Sequence, residues 1–255
     1  MDGISLFKAH FTRFSFARHA HDDFAVGVIE SGTQRFSYGR KTHHAPTCSL
    51  ITVNPGEVHD GEDATGDGYR YRIAYLPADL VAEIGGSSEP WFTRPVTWDP
   101  VISHKMRHVM DLLETGATGL NPEDTILSSF ADLFTRHAGA RPEKDYTHAN
   151  QRRVSLACDY MNDMAAHDLQ LEELSDVAGL SRFHFLRVFK EVTGFTPHAY
   201  LIQRRLTLAR GAIESGATLA EAASLSGFSD QSHMTRKFKA TFGITPGHFA
   251  REYRR

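Results

Sequence analysis

The sequence predicts a two-domain α+β protein, in which a strand-rich N-terminal half with a helix pair precedes an all-α C-terminal half. Short β-branched and aromatic runs separated by turn residues fill residues 24–76. Helical spacing of apolar residues begins only after Pro77. Residues 171–201 and 219–249 resemble each other, which indicates that a duplicated helical motif forms most of the C-terminal half.

Four segments of the N-terminal half are predicted to be β-strands. Each is bounded by glycine, asparagine or proline, and in the last one tyrosines alternate with Arg70 and Arg72, as in a half-buried strand. His43 and His44 lie between two of the segments and are interpreted as a solvated turn. Short strands at this spacing predict a sandwich or a barrel. The segments are FAVGVIE (24–30), QRFSY (34–38), SLITVN (49–54) and YRYRIAYL (69–76).

Two helices are predicted between residues 98 and 138. An apolar residue recurs every three or four positions from Ile102 onward, and Asn121-Pro122 is a suitable N-cap and first-turn pair for the second helix. Gly116–Gly119 would then connect the two helices. The pair either covers the barrel or exposes an apolar seam for dimerisation, and that seam is Met106, Val109 and Leu113.

Composition and charge limit the classes of protein to which this chain can belong. The chain has 255 residues, of which 41% are apolar, and neither a membrane-spanning helix nor a secretory signal is expected from its sequence. Cys48 and Cys158 support neither a disulfide scaffold nor a zinc finger, which favours a reducing cytoplasm. Residues 1–145 carry 14 basic and 20 acidic side chains, whereas residues 146–255 carry 14 and 11. The C-terminal half is therefore the better candidate for contacting a polyanion.

Each copy of the repeat has the residues of two short helices joined by a tight turn. In the first copy an apolar stripe ends at Gly179, which can adopt the left-handed conformation that a sharp reversal needs. Ser181 is then predicted to cap a second helix, which ends at Gly194. This arrangement predicts a helix-turn-helix, whose second helix can enter the major groove of DNA. The second copy repeats the order with Gly227, Ser229 and Gly243, and the two units are predicted at about residues 171–192 and 219–241.

The outward side of each second helix carries side chains suited to DNA. Arginine, glutamine, serine and histidine can reach base edges, and lysine suits phosphate. Arg187 matches Arg236 in the repeat, which favours DNA binding over an ordinary polar helix surface. An ion pair of Arg236 with Glu221 or Asp230 is the alternative. The residues predicted to contact DNA are Ser181, Arg182, Phe183, His184, Arg187, Lys190, Ser229, Gln231, Ser232, His233, Arg236 and Lys239.

Residues 151–255 resemble the DNA-binding domain of the AraC/XylS family of bacterial transcription regulators. The resemblance is carried by LEELSDVAGLSRFHFLRVFKEVTGFTPHAYL, LIQRRLTLARGAI and GFSDQSHMTRKFKATFGITPGHF. It implies two helix-turn-helix units joined by a long helix, with their second helices in successive major-groove turns. Leu186 stands where other members often have a polar residue, which favours reading of DNA shape or a thymine methyl by the first unit. The implied base-reading residues are Phe183, His184 and Arg187, followed by Gln231, Ser232 and Arg236.

The segment from about residue 15 to residue 80 resembles the cupin-like effector domain of the same family, through His19-Ala20-His21, GVIESG (27–32) and NPGEVH (54–59). Cupin enzymes hold a metal with a His-x-His pair, a following carboxylate and a later histidine. Here the carboxylate position falls at Ala25, so no metal is expected. The histidines are expected to hold loops together or to line a small-molecule pocket. The residues predicted to contact an effector are His19, His21, Tyr38, Glu57, His59 and Tyr71.

These observations predict a cytoplasmic transcription regulator, activator or repressor, without cofactor or catalytic activity, that binds specific double-stranded DNA and responds to a small-molecule effector. RNA polymerase is an implied partner, and a homodimer is one alternative for the assembly. Two other functions stay open at this point: a metal-dependent cupin enzyme fused to a DNA-binding module, and a constitutive regulator whose barrel only dimerises. The predicted boundaries are 1–97 for a cupin-like barrel, 98–138 for the helix pair, 139–150 for a linker and 151–255 for the DNA-binding domain.

Overall fold

The structure is a computed structural model that describes residues 3–39, 41–85, 90–115, 122–142 and 148–253. The chain forms two compact units, one of Met1–Ser15 with Ala20–Glu143 and one of Phe16–His19 with Lys144–Arg255. Three predicted features lie outside the described residues, namely the connection Gly116–Gly119, the N-cap Asn121 and the central part of the linker 139–150.

The described residues form three β-sheets, one of which has only two strands. The described strands are β1 (Ser5–Phe11), β2 (Phe16–His19), β3 (Phe24–Ser31), β4 (Thr33–Tyr38), β5 (Lys41–Pro46), β6 (Leu50–Val53), β7 (His59–Asp63), β8 (Tyr69–Leu76), β9 (Trp91–Phe92), β10 (Val96–Thr97) and β11 (Ala138–Gly139). The first sheet has the order β1-β8-β3-β6-β10, with β8 antiparallel to both of its neighbours. In the second sheet, β7, β4 and β5 are adjacent in that order.

All four predicted strands are present, as β3, β4, β6 and β8. The interpretation of His43 and His44 as a turn is wrong, because both lie in β5, where they pair with Phe36 and Arg35 of β4. The strand was not recognised because Lys41–Pro46 is polar and mostly exposed, so it lacks the alternation of apolar and polar residues that marks a half-buried strand.

The helices of the N-terminal unit are α1 (Ala78–Gly85), α2 (Pro100–Thr115) and α3 (Pro122–His137). Helix α2 packs on β1, β3 and β8, and its Met106 and Val109 are fully buried in the same core as Val26 and Val28. Leu113 is half-buried against that core. The alternative of an exposed seam at Met106, Val109 and Leu113 is therefore wrong, and the helix pair covers the sheet instead.

Arg72 of β8 is buried because α2 packs on the sheet that contains β1, β3 and β8. The alternation of Arg70 and Arg72 with tyrosines had predicted an exposed side chain at this position. The Arg72 side chain forms ion pairs in which Nε lies 2.5 Å from Glu30 Oε1 and Nη1 lies 2.6 Å from Asp111 Oδ1. A buried guanidinium needs such partners, because desolvating an unpaired charge is costly. These contacts join β8 to β3 and α2.

The C-terminal unit is helical from residue 148 onward. Its helices are α4 (His148–Asp163), α5 (Leu171–Val177), α6 (Arg182–Thr193), α7 (Pro197–Glu214), α8 (Leu219–Leu225), α9 (Gln231–Phe242) and α10 (Pro246–Tyr253). Two cores divide the unit: the first contains Phe185 and Phe189 of α6, and the second contains Met234 and Phe238 of α9. Helix α7 contributes to both cores. No helix formed by the described residues is long and apolar enough to cross a membrane.

The turns of the two repeat copies have the predicted left-handed glycines, with φ of 61° at Gly179 and 77° at Gly227. The expectation that Ser229 caps the following helix is wrong. Asp230 is the N-cap, and its Oδ1 accepts a hydrogen bond from the His233 backbone N at 2.7 Å. The second copy has one extra residue after its glycine, so the position equivalent to Ser181 is Asp230. Ser181 itself is the N-cap of α6, but its side chain makes no capping hydrogen bond.

Candidate nucleic-acid interface and ligand site

Helix α6 presents one polar side to solvent because its other side is fixed in the first core. Phe185, Val188 and Phe189 are buried there. The Phe183 side chain is 86% exposed in the first turn of the helix, where an apolar ring can contact a thymine methyl group. Of the residues predicted to contact DNA from this unit, Ser181, Arg182, Phe183, Arg187 and Lys190 are exposed and His184 is half-buried.

The arginines of α6 differ in their surroundings. Arg182 forms an ion pair with Glu172 of α5, a contact that the sequence did not predict. Arg187, in contrast, forms no ion pair among the described residues, and neither does Lys190. The charges of Arg187 and Lys190 can therefore reach an external anion, whereas Arg182 also braces the two helices of its own unit.

Helix α9 repeats this arrangement with Met234 and Phe238 buried in the second core. His233 is half-buried, its ring packs edge-on against Phe228 at 5.4 Å between centroids, and its Nδ1 lies 3.5 Å from Ser229 Oγ. This position suits a side chain that supports the turn. Of the residues predicted to contact DNA from this unit, Ser229, Gln231, Ser232, Arg236 and Lys239 are exposed.

Arg236 forms no ion pair with Glu221 or Asp230 in the part of the chain that the structure describes. The Glu221 carboxylate instead accepts hydrogen bonds from the Thr218 backbone N at 2.8 Å and Oγ1 at 2.7 Å. The Asp230 carboxylate caps α9, and the hydrogen bond from His233 N holds its pKa below the usual value, with a smaller effect from Arg236. Both carboxylates are thus engaged at helix ends, and the Arg236 guanidinium faces solvent.

The N-terminal unit brings His21 and His59 together, with ring centroids 4.9 Å apart. His21 Nδ1 lies 2.6 Å from the Asp23 carbonyl oxygen, and His59 Nδ1 lies 2.9 Å from the Glu57 carbonyl oxygen. Because a carbonyl oxygen only accepts, Nδ1 of each ring is the donor and carries the proton. These bonds fix the orientation of both imidazoles.

Tyr38 borders the same region, because it pairs with His59 across β4 and β7. Its hydroxyl accepts a hydrogen bond from Asn54 Nδ2 at 2.9 Å. Burial, with a contribution from the negative charge of Glu57, raises the pKa of Tyr38 to about 12, so the phenol stays neutral at physiological pH. Asn54 is fully buried and also bonds to the backbone of Phe92, so it holds this part of the unit in place. Asn54 was not among the predicted site residues, although it begins the quoted NPGEVH segment.

The other two predicted effector residues are Tyr71 and His19. Tyr71 belongs to a buried aromatic cluster in which its ring centroid lies 5.5 Å from that of Tyr69. His19 belongs to the segment Phe16–His19, which groups with the C-terminal unit. Tyr75 was missed, yet its ring lies 5.1 Å from that of His21. The signal for Tyr75 was its position on the same strand face as Tyr71.

The cupin ligand pattern lacks its carboxylate in this chain. Ala25, at the position where a cupin enzyme would have its carboxylate, is fully buried and pairs with Tyr75 of β8. Among the described residues, no group of three or more His, Cys, Asp or Glu side chains could hold a metal ion. The side chains present suit hydrogen bonding and ring contacts with an organic ligand.

Comparison with known proteins identifies both units. The model of the AraC-like ligand binding domain matches residues 3–130, and that of a helix-turn-helix domain matches residues 174–252. The chain belongs to the AraC family of transcription regulators. This AraC-family protein thus has an N-terminal ligand-binding domain and a C-terminal helix-turn-helix DNA-binding domain, which confirms the fold class and the regulatory function that the sequence predicted.

Curated relatives of the AraC-family chain are also regulators. An uncharacterized HTH-type transcriptional regulator of Bacillus subtilis, YbfI, is 27% identical over 224 residues, which cover 86% of this chain and 81% of YbfI. The multiple antibiotic resistance protein MarA of Escherichia coli is 34% identical over 89 residues, which cover 34% of this chain and 70% of MarA. YbfI thus matches most of both chains, whereas the match to MarA is confined to a third of this chain.

Solved structures of ToxT from Vibrio cholerae have the same fold as this AraC-family chain. ToxT of strain O395 has a TM-score of 0.63 at 11% identity and covers 98% of each chain. A structure of ToxT bound to an unsaturated fatty acid has a TM-score of 0.58 at 12% identity and covers 98% of this chain and 95% of ToxT. The likeness extends over both units and shows a shared fold.

Proposed function

We propose that the exposed sides of α6 and α9 bind one specific double-stranded DNA site, and that a small molecule bound in the N-terminal unit regulates this binding. The observation that carries the proposal is the duplicated pair Arg187 and Arg236, both exposed and both without an ion pair among the described residues. Guanidinium groups in such positions can form bidentate contacts with guanine. Lys190 and Lys239 follow each arginine by three residues and suit the adjacent phosphates.

The other residues of the proposed DNA interface are given different roles according to their exposure and contacts. Phe183, Gln231 and Ser232 are exposed beside the arginines and are proposed to contact base edges or thymine methyl groups. Ser181 and Ser229, which lie at or just before the helix starts, are proposed to contact phosphate. The backbone N–H groups at a helix N-terminus also bind phosphate. Three residues are proposed to position the helices as well as to touch DNA: Arg182, which pairs with Glu172, and the half-buried His184 and His233.

Selection of genomic DNA fragments by the full-length protein tests the DNA-binding proposal. We expect a small set of fragments to be retained, with an affinity that falls steeply as salt concentration rises, because lysine and arginine displace counterions from phosphate. Retention of all fragments alike, or binding that does not change with salt, would contradict the proposal. The genes beside the retained fragments would also suggest the class of effector.

The ligand site is proposed at His21, Tyr38, Glu57 and His59. ToxT has been crystallised with an unsaturated fatty acid, a ligand with one polar group and a long apolar chain. In the present chain the oriented imidazole of His21 lies between the rings of His59 and Tyr75, at 4.9 and 5.1 Å, and the neutral phenol of Tyr38 belongs to the residue that pairs with His59. This combination suits a small organic ligand that has a polar group next to an apolar part.

Replacing His59 by Ala is expected to shift the ligand response and to spare basal DNA binding. A thermal-shift screen of small molecules would identify a ligand that raises the melting temperature, and anisotropy titrations with DNA would then measure its effect. We expect the variant to need roughly tenfold more ligand for the same response, because the polar group of the bound ligand would lose the His59 imidazole as its hydrogen-bonding partner. His44→Ala, an exposed site on β5, is the matched control and should respond as wild type. An unchanged ligand response in His59→Ala would remove His59 from the site.

Further aspects of the function are also proposed. The protein is proposed to act in the cytoplasm, to contact RNA polymerase at its promoters and to lack catalytic activity. A homodimer would need a surface other than the buried seam of α2, and light scattering of the purified chain would measure its mass. The metal-dependent enzyme is the less favoured alternative, because Ala25 replaces the carboxylate. Metal analysis of the purified protein would test that alternative.

A further inference from the structure

Helix α7 joins the two helix-turn-helix units, and a second stretch of chain also lies in contact with both of them. This stretch comprises residues 164–170 between α4 and α5, which we call the α4–α5 segment. Ala165 of the segment is buried in the first core with Phe185 and Phe189, so the segment is part of the first unit. Its backbone also contacts residues that belong to α7 and to the second unit.

Arg205 of α7 binds the α4–α5 segment through two backbone carbonyl groups. Its Nε donates to the Ala165 oxygen at 2.8 Å, and its Nη2 donates to the His167 oxygen at 2.8 Å. Burial lowers the pKa of Arg205, and the nearby charge of Asp168 opposes this shift. Because a guanidinium group is planar and rigid, two such bonds fix both the distance and the angle between α7 and the segment.

Gly227, in the turn of the second unit, lies against the backbone of the same segment. A Cβ atom at Gly227 would lie 2.6 Å from the Ala166 oxygen and 2.8 Å from the Ala166 Cα. A Cβ at Gly179, the equivalent glycine of the first unit, would have nothing within 4 Å. The two turns therefore have similar backbone conformations at their glycines, but Gly227 packs against the α4–α5 segment of the first helix-turn-helix unit whereas a Cβ at Gly179 would meet open space.

We propose that Arg205 is a positioning residue that fixes α6 relative to α9, and thereby sets the spacing between the two DNA segments that the domain reads. Helix α7 packs on both cores and joins the two helix-turn-helix units. The α4–α5 segment, held by Arg205 and seated against Gly227, adds a second contact that limits rotation of one unit against the other about the α7 axis. This inference rests on the proposed DNA-binding function and adds a specificity determinant that does not touch DNA.

DNA with altered spacing provides the probe. Inserting one base pair between the two contacted segments moves the second by about 3.4 Å along the axis and rotates it by about 35°. A rigid domain cannot follow this change and loses affinity, whereas a domain that can twist recovers part of the contact. Removing Arg205 should therefore reduce the penalty for the insertion more than it reduces binding to the natural site.

The experiment uses full-length protein and a DNA duplex taken from a retained genomic fragment, with natural spacing and with one base pair inserted or deleted. For wild type we expect an affinity loss of roughly thirtyfold on insertion, as when several base contacts fail together. For Arg205→Ala we expect a loss of less than about fivefold, because both carbonyl bonds are gone. Arg205→Lys keeps the positive charge but lacks the two fixed N–H donors of the guanidinium group. Its affinity loss on insertion should fall between those of wild type and Arg205→Ala.

Arg210→Ala is the matched control, since Arg210 also lies on α7 but pairs with Glu214 instead of the segment. It should keep the wild-type spacing penalty. An unchanged penalty in both Arg205 variants, with melting curves that show folded protein, would overturn the role of Arg205 while leaving the proposed function intact. If Arg205→Ala does not fold, the Arg205→Lys value decides. Failure of wild type to bind any sequence specifically would overturn the proposed function, and this inference with it.

Discussion

Arg236→Ala is expected to weaken binding to the cognate DNA site about ten- to hundredfold and to flatten preference at one or two base pairs. The guanidinium is exposed on α9, and the carboxylates of Glu221 and Asp230 that could have paired with it are engaged in helix caps. On the proposal that Arg236 contacts a base, its replacement removes that contact and leaves the internal hydrogen bonds of the unit in place. Competition binding against single-base variants of the site measures the effect.

Lys239→Ala is the matched comparison for Arg236→Ala. If Lys239 meets phosphate, its removal should weaken all sequences alike and lower the slope of affinity against salt by about one unit. A melting curve of each variant controls for stability. Equal loss on every sequence for Arg236→Ala, together with a lower melting temperature, would show that Arg236 supports the fold and does not read bases.

Gly227→Ala is expected to lower the free energy of unfolding of the C-terminal domain by about 3 kcal/mol or more, since backbone strain and a steric clash act together. The residue has a φ of 77°, which L side chains rarely adopt, and the added Cβ would press on the Ala166 backbone. A backbone atom cannot move aside as the end of a flexible side chain can. Urea unfolding of the full-length protein, followed by circular dichroism, measures the loss.

The matched control is Gly179→Ala, with a φ of 61° and open space around the added Cβ. It carries the backbone strain alone and should cost about 1–2 kcal/mol. The comparison separates strain from contact, because the two glycines occupy equivalent turns of the same repeat. Equal losses in the two variants would contradict the tight packing of the second turn on the α4–α5 segment.

Local chemistry explains which features the sequence could predict. The turns at Gly179 and Gly227 were predicted because a sharp reversal between short helices needs a residue that tolerates positive φ, and few residues other than glycine do. The polar sides of α6 and α9 were predicted because the helical period alone separates them from the buried phenylalanines. These signals depend on neighbours within a few residues, so a single sequence contains them.

Features that depend on distant parts of the chain could not be predicted in this way. Arg72 alternates with buried tyrosines as an exposed residue would, yet α2 covers it and supplies Asp111 as a partner. The pairing of Arg182 with Glu172, and the seating of Gly227 on Ala166, likewise depend on packing between elements. Asp230 was missed for a local reason, since the single inserted residue placed a serine directly before the true N-cap.

Hydroxyl-radical footprinting of the full-length protein on a retained DNA fragment tests most directly that two reading helices bind one site. We expect two protected patches on one face of the duplex, with centres about 10–10.5 base pairs apart, because α6 and α9 would enter successive turns of the major groove. Arg187→Ala should weaken one patch and Arg236→Ala the other. A single protected patch, or loss of the same patch in both variants, would contradict the proposal that α6 and α9 each enter their own turn of the major groove.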